Sequence, residues 1–238
     1  RGALMITMDV RHPDIEQFVL MKHDLTKVTG ANVSVKISDD FMRAVENDES
    51  FTLQFPVDSE APAFKHEIDA KSLWSAIINS ATKTAEPGLL MWDNITSTLP
   101  AEEYASDGFK TITTNPCGEI PLSANDSCRL ISINLKSFVK NKFDFQKFSE
   151  VAAMAMRLSD DLVELELEKL TGIIDACDTD DEKTLWKKLK QACENGRRTG
   201  LGTHGLADAM ACMGLRYDSD LAIDTIEKIY ETLRNSAY

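Results

Sequence analysis

The sequence has no run approaching the roughly 18 consecutive apolar residues that a membrane-spanning helix requires, and no charged start leading into an apolar stretch that would read as a signal peptide. The expectation is a cytoplasmic chain with no membrane role. Positive charge is also in short supply: 39 acidic residues stand against 26 basic ones, a formal charge of -13, and such a surface is a poor partner for nucleic acid. Its plainer meaning is solubility. Cysteine is sparse and odd in number, five in 238 residues, which excludes a secreted disulfide framework and leaves thiols that are either buried or chemical. The close Cys and His spacing of a zinc site is missing, and the acidic stretch "DACDTDDE" lacks the Gly and terminal Glu of a calcium loop. Internal repeats, low-complexity tracts and an initial Met are absent too. The chain opens "RGALMITMDV", straight into an apolar run, which reads as a cut through a larger protein.

What is present is a 43% hydrophobic chain, long enough to bury a substantial core. Residues 1–95 alternate strand-like and helical stretches. "ALMITMDV", "ANVSVKI", "SFTLQFPV" and "GLLMWDNI" read as strands; "HPDIEQFVLMK", "SDDFMRAVEN" with Ser38 as its cap, and "DAKSLWSAIINSATK" read as helices. That succession predicts an α/β layout with a largely parallel sheet or barrel. Residues 96–128 break the rhythm with Pro, Gly, Ser, Thr and Asn and read as a long functional loop. Residues 129–238 are mainly helical after "RLISINL". Cys177, Cys193 and Cys212 lie in helical patterns and read as structural thiols, and Met154, Met156, Met210 and Met213 as core filler.

The chemistry concentrates in "NPCGE". If these residues were extended, Asn115, Cys117 and Glu119 would share one face, presenting an amide, a sulfur and a carboxylate together. Pro116 stiffens the segment and Gly118 permits close approach of a ligand or another backbone. A second thiol, Cys128, follows eleven residues on. A cysteine nucleophile would want a His base, and none of His12, His23, His66 or His204 is beside Cys117 in sequence. The bland alternative is a turn holding a buried Cys. Arg197, Arg198, Gly200 and Gly202 invite a phosphate-binding reading, but the favoured one is that the glycines allow close packing and the arginines pair with acids. His12 and His204 read as structural.

At this point whole segments become recognisable. "NPCGEIPL" followed by "SCRLISINL" resembles the finger loop of ribonucleotide reductase catalytic subunits, especially the adenosylcobalamin-dependent kind. "RGALMITMDVRHPDIEQFVLMK", "GANVSVKISDDFMRAV" and "GRRTGLGTHGLADAM" are similar to further family segments in family order, so the resemblance covers nearly the whole chain. It implies a partial ten-stranded α/β barrel with an internal finger loop and a helical second half. It also implies roles. Cys117 matches the thiyl-radical cysteine that abstracts the ribose 3′ hydrogen, Glu119 the carboxylate that takes the 3′-hydroxyl proton, and Asn115 the amide that holds the ribose hydroxyls. Pro116 and Gly118 complete the substrate-binding segment that the resemblance implies. Cys128 matches one of two thiols that supply reducing equivalents, and Arg1 with Gly2 the tail of the loop that links effector to substrate base.

The same resemblance implies adenosylcobalamin as cofactor, with a radical from a separate metal-carrying subunit as the alternative. It implies a ribonucleotide substrate, the flanking segments of the same reductase, a thioredoxin-type reductant and a homodimer when intact. One departure stands out: many relatives read Asn-Leu-Gly after the second cysteine, whereas here Arg129, Leu130 and Ile131 follow Cys128. Two readings from other classes compete, a non-catalytic piece of a split reductase and a thiol redox or metal-binding protein using Cys117 and Cys128.

Overall fold

The computed structural model describes residues 3–238, so Arg1 and Gly2 lie outside the described residues. The chain divides into two compact units, one ending at Ala124 and the other running Asn125–Tyr238.

In the first unit the chain order is β1 (Leu4–Asp9), α1 (Ile15–Leu20), β2 (Ala31–Ile37), α2 (Asp39–Asn47), β3 (Ser50–Phe55) and β4 (Phe64–Asp69). Then come α3 (Ala70–Thr84), β5 (Gly88–Met91), α4 (Trp92–Thr98), β6 (Thr111–Thr114) and β7 (Pro121–Ser123). Three of these strands form a parallel sheet in the order β1-β2-β5. The period-two pattern of "ANVSVKI" decides its faces: Ala31, Val33, Val35 and Ile37 are buried, and Val33, Val35 and Ile37 join Phe18 and Val19 of α1, Phe41 of α2 and Leu73 and Ile77 of α3 in one core. Helices thus cover one face of the sheet. Asp69 begins α3 by accepting the Ser72 N–H at 2.6 Å, satisfying one of the donors that a helix start leaves open. Ser38 does occupy the cap position of α2, yet its hydroxyl makes no capping bond; Asp93 instead accepts the Asp39 N–H at 2.7 Å.

Two sequence expectations need correction here. The strand read through "GLLMWDNI" stops at Met91, and Trp92–Thr98 is helical, because Asp93 and Asn94 are poor strand residues. The stretch 96–128, read as an irregular loop, is largely ordered. It contains a short 3₁₀ stretch Pro100–Asp107 and the antiparallel hairpin β6-β7.

The second unit contains β8 (Arg129–Asn134), α5 (Phe145–Ala176), α6 (Asp180–Gly196), β9 (Thr199–His204), α7 (Leu206–Cys212) and α8 (Asp220–Ala237). β8 and β9 are parallel partners, with Leu130 opposite Gly200. One half of α5 shares a core with α7 and α8 through Phe148, Ala152, Met210 and Ile229. Its other half packs Val163 and Leu170 against Cys193 and Trp186 of α6. A capping box starts α6, Thr179 accepting the Glu182 N–H while Glu182 accepts that of Thr179. Of the thiols read as structural, Cys193 is buried, Cys177 is half-buried at the end of α5 and Cys212 is exposed. Met210 is fully buried, but Met154 is 70% exposed, because α5 carries a wider apolar stripe than its neighbours in this unit cover.

Parallel strands linked through helices bear out the α/β reading. Among the described residues the strands form separate sheets of three, two, two and two, and none closes into a barrel.

Candidate active site

Parallel partners in register point their side chains to the same side of a sheet. The pairs Met5 with Asn32, Thr7 with Ser34, Asp9 with Lys36, Ser34 with Gly88 and Lys36 with Leu90 therefore line the face opposite the helices. The hairpin β6-β7 lies on this polar face. Thr7 Oγ1 and Thr113 Oγ1 are 3.1 Å apart, and Asn32 Nδ2 donates to the Pro116 carbonyl at 2.7 Å. Lys36 donates to the Ile112 carbonyl while its ammonium sits 4.2 Å from the centre of the Trp92 ring. Burial pushes the Lys36 ammonium below its ordinary pKa, opposed by attraction to Asp9 and Asp58. Asp9 is pushed upward, again chiefly by burial, against the hydrogen bond that its carboxylate accepts from the Arg11 N–H.

The head of the hairpin is a tight turn and not an extended segment. Gly118 N–H donates to the Asn115 carbonyl at 3.0 Å, Asn115 N–H to the Ile120 carbonyl at 3.1 Å, and Ile120 N–H to Asn115 Oδ1 at 2.9 Å. The residue order explains it: Asn, Pro and Gly fall at the first, second and fourth positions of a β-turn, where type I turns favour them. Gly118 has φ +86°, a conformation that a side chain would strain. Period-two alternation is therefore the wrong geometry for Asn115, Cys117 and Glu119. The turn nevertheless gathers all three within five residues, with Asn115, Pro116 and Gly118 half-buried and Cys117 and Glu119 exposed. Nor is Cys117 the buried thiol of the bland alternative. It lines a cavity of about 390 Å³ together with Asn32, Ser34, Glu86, Leu90 and Gly118. Glu86 is held there by accepting the Val33 N–H at 2.9 Å and by an ion pair with Lys22 at 2.9 Å.

Sequence reading missed the residues that seat this turn, chiefly Thr7, Asn32 and Lys36. A signal existed: positions 32, 34 and 36 are polar in a strand whose alternate positions are apolar, which marks a face turned to something other than the core.

Cys128 belongs to the second unit, where it is half-buried just before β8. Burial raises its pKa, opposed by the positive charges of Arg198 and Arg129 and reinforced by Asp126. Arg198 pairs with Asp126 at 2.8 Å, and Arg197 pairs with Asp160 and Glu164 at 2.8 and 2.7 Å, which bears out the ion-pair reading of both arginines. His12 and His204 hold local hydrogen bonds, to the Asp14 N–H and with the Ser132 hydroxyl. Among the described residues no group of three or more His, Cys, Asp or Glu could hold a metal ion, and no helix is long and apolar enough to cross a membrane.

The first unit is thus a parallel α/β scaffold that presents an exposed cysteine on a turn beside a cavity. The family model described as ribonucleotide reductase, barrel domain, matches residues 1–238, and the chain belongs to that family. It is 32% identical over 241 residues to the vitamin B12-dependent ribonucleoside-diphosphate reductase of Thermoplasma acidophilum, covering 100% of this chain and 28% of that protein. With the Mycobacterium tuberculosis protein of the same description it shares 31% identity over 240 residues, covering 100% of this chain and 31% of the relative. The vitamin B12-dependent ribonucleotide reductase of Streptomyces coelicolor is 28% identical over 249 residues, covering 92% and 23%. The chain thus spans less than a third of the length of these relatives.

Proposed function

We propose that the intact protein containing this chain reduces ribonucleotides to deoxyribonucleotides by radical chemistry, with Cys117 carrying the radical. The observation behind this is the exposed Cys117 at the head of its turn, lining a cavity, in a chain of the ribonucleotide reductase family. The parallel pieces β1-β2-β5 and β8-β9 would be segments of a ten-stranded barrel, with β6-β7 as its finger loop. Two relatives are named as ribonucleoside-diphosphate reductases, and a diphosphate is the substrate class to test first.

A thiol does not yield a radical unaided, and the relatives' descriptions name vitamin B12. Adenosylcobalamin, when bound, would supply homolytic radical chemistry, and Cys117 would be the residue that carries the radical. The residue fits that demand. Its sulfur is exposed and holds no hydrogen bond among the described residues, so a hydrogen atom leaves it without breaking another contact. Cys117 then takes the ribose 3′ hydrogen atom, Glu119 takes the 3′-hydroxyl proton, and the 2′ hydroxyl departs as water with a proton from one thiol of the reducing pair; the hydrogen atom on Cys117 returns to C3′ at the end. Asn115 holds the sugar hydroxyls through its side-chain N–H groups, because Oδ1 already accepts from Ile120. Cys128, with a second cysteine outside this chain, supplies two electrons and closes to a disulfide that a thioredoxin-type dithiol resets.

Replacing Cys117 with Ser in the intact reductase tests this. Turnover should fall by several orders of magnitude while ribonucleotide binding persists. A Cys117→Ser enzyme with normal turnover overturns the assignment.

A further inference from the structure

The residue after Cys128 is the feature of the second unit that the function above leaves unused. Arg129 starts β8, yet its side chain is only 9% exposed, an unusual position for a guanidinium. Every direction of its planar fork is engaged. Nε donates to Glu166 Oε2 at 2.7 Å, and Nη2 lies 2.6 Å from the same oxygen. Nη1 donates to the Arg198 carbonyl at 3.1 Å and to the Ser127 carbonyl at 3.4 Å, and Nη2 donates to the buried Cys193 sulfur at 2.9 Å.

These contacts surround Cys128. The Ser127 carbonyl belongs to the peptide that enters Cys128, and the Arg198 carbonyl to the peptide that leads into β9. Within β9, Gly200 leaves room for the sulfur: a Cβ there would stand 3.4 Å from Cys128 Sγ. Ser127 is tied a second time through its hydroxyl to Glu166 at 3.3 Å, and Asp126 is tied to Arg198.

We propose that Arg129 is a positioning residue for Cys128: it fixes the peptides on either side of the sulfur and, with Arg198, supplies positive charge that favours the departing thiolate when the disulfide is reset. The inference rests on the reading of Cys128 as a reducing thiol. In the reset a dithiol is oxidised to its disulfide, giving up two electrons and two protons. The enzyme disulfide is reduced, and whichever sulfur is attacked first, Cys128 Sγ leaves an S–S bond once with the bonding pair and then takes up a proton. The groups that set its charge are Arg129 of β8, Arg198 before β9 and Asp126 on the entering loop, with Glu166 of α5 and Cys193 of α6 facing Arg129. Glu166 neutralises part of the Arg129 charge, and burial works against the thiolate, so the two guanidiniums offset an opposing cost and do not make Cys128 acidic outright.

The experiment compares Arg129→Met, Arg129→Lys and Cys128→Ser in the intact reductase. Enzyme reduced beforehand and given substrate without dithiol makes its first product without a reset, whereas continuous turnover with dithiothreitol needs one every cycle. Arg129→Met should leave the first-turnover yield and rate within about twofold and lower continuous turnover at neutral pH at least tenfold. The deficit should narrow as pH rises, and iodoacetamide labelling of Cys128 should shift to higher pH. Arg129→Lys, which keeps the charge and loses the fork, should fall between the two in turnover and restore most of the labelling profile. Equal loss of first and continuous turnover, or no loss of either, overturns the proposal, and so does an unshifted labelling curve. If Arg129→Met does not fold, a labelling profile for Arg129→Lys that matches the unmodified enzyme together with impaired continuous turnover supports it, and unimpaired turnover overturns it. Cys128→Ser separates the two layers: if it sustains dithiol-driven turnover, the underlying reading of Cys128 fails, whatever Arg129 does.

Discussion

Under the proposed function Asn115 does two jobs with one side chain. Its Oδ1 closes the turn by accepting the Ile120 N–H, and its amide N–H groups remain to meet a substrate. Replacing it with Ala removes both. The lost hydrogen bond costs about 1 kcal/mol of local stability, and the turn that presents Cys117 loosens. Misplacing a reactive sulfur by a fraction of its contact distance is far more damaging than that energy suggests, since positioning contributes through geometry. In the intact enzyme, Asn115→Ala should therefore reduce kcat at least tenfold while thermal stability changes little. Steady-state kinetics beside a melting curve checks this, and a large fall in melting temperature with kcat preserved would contradict it.

At the scale of elements, the fold depends on helix ends as much as on apolar stripes. Asp69 joins the end of β4 to the start of α3, and its carboxylate, accepting from Ser72, is held below the usual Asp range by that bond to the Ser72 side chain and backbone. A carboxylate whose folded pKa is depressed stabilises the folded state above its unfolded pKa and loses that contribution as pH falls through the folded value. Protonation should then free the first turn of α3. Amide hydrogen exchange at Ser72 should be slow at neutral pH and accelerate relative to mid-helix amides only on the acid side of the ordinary Asp range. In Asp69→Ala the first-turn amide should exchange fast at every pH. Lys36 shows a different use of an element: β2 supplies the core with one face and, with the other, carries the lysine that seats the β6-β7 hairpin.

For the whole molecule, incompleteness is the governing fact. The chain spans 28% and 31% of two relatives, and under the proposed function a second reducing cysteine and further barrel strands would have to come from outside these residues. The isolated chain should show no turnover with adenosylcobalamin, a ribonucleoside diphosphate and dithiothreitol, measured as deoxynucleotide formed. Activity in that assay would mean that the site is complete within 238 residues. Restoration on mixing with the remaining segments would instead favour the split-reductase reading.

By itself the sequence determined the helices with clear apolar stripes and the buried alternation of β2, because periodicity acts locally. It also carried the family, through motifs in order along the chain. Tertiary structure decided what local rules could not. "NPCGE" satisfies a turn as readily as a strand end, and only pairing of β6 with β7 on the sheet chose the turn. The fate of Arg129 was equally hidden. A charged residue in "SCRLISINL" reads as solvent-facing, and its burial depends on Glu166, 37 residues away on α5, and on the Arg198 carbonyl, 69 residues away, meeting the local Ser127 carbonyl at one guanidinium. Long-range partners decide where a charge can be buried, and a linear pattern does not name them.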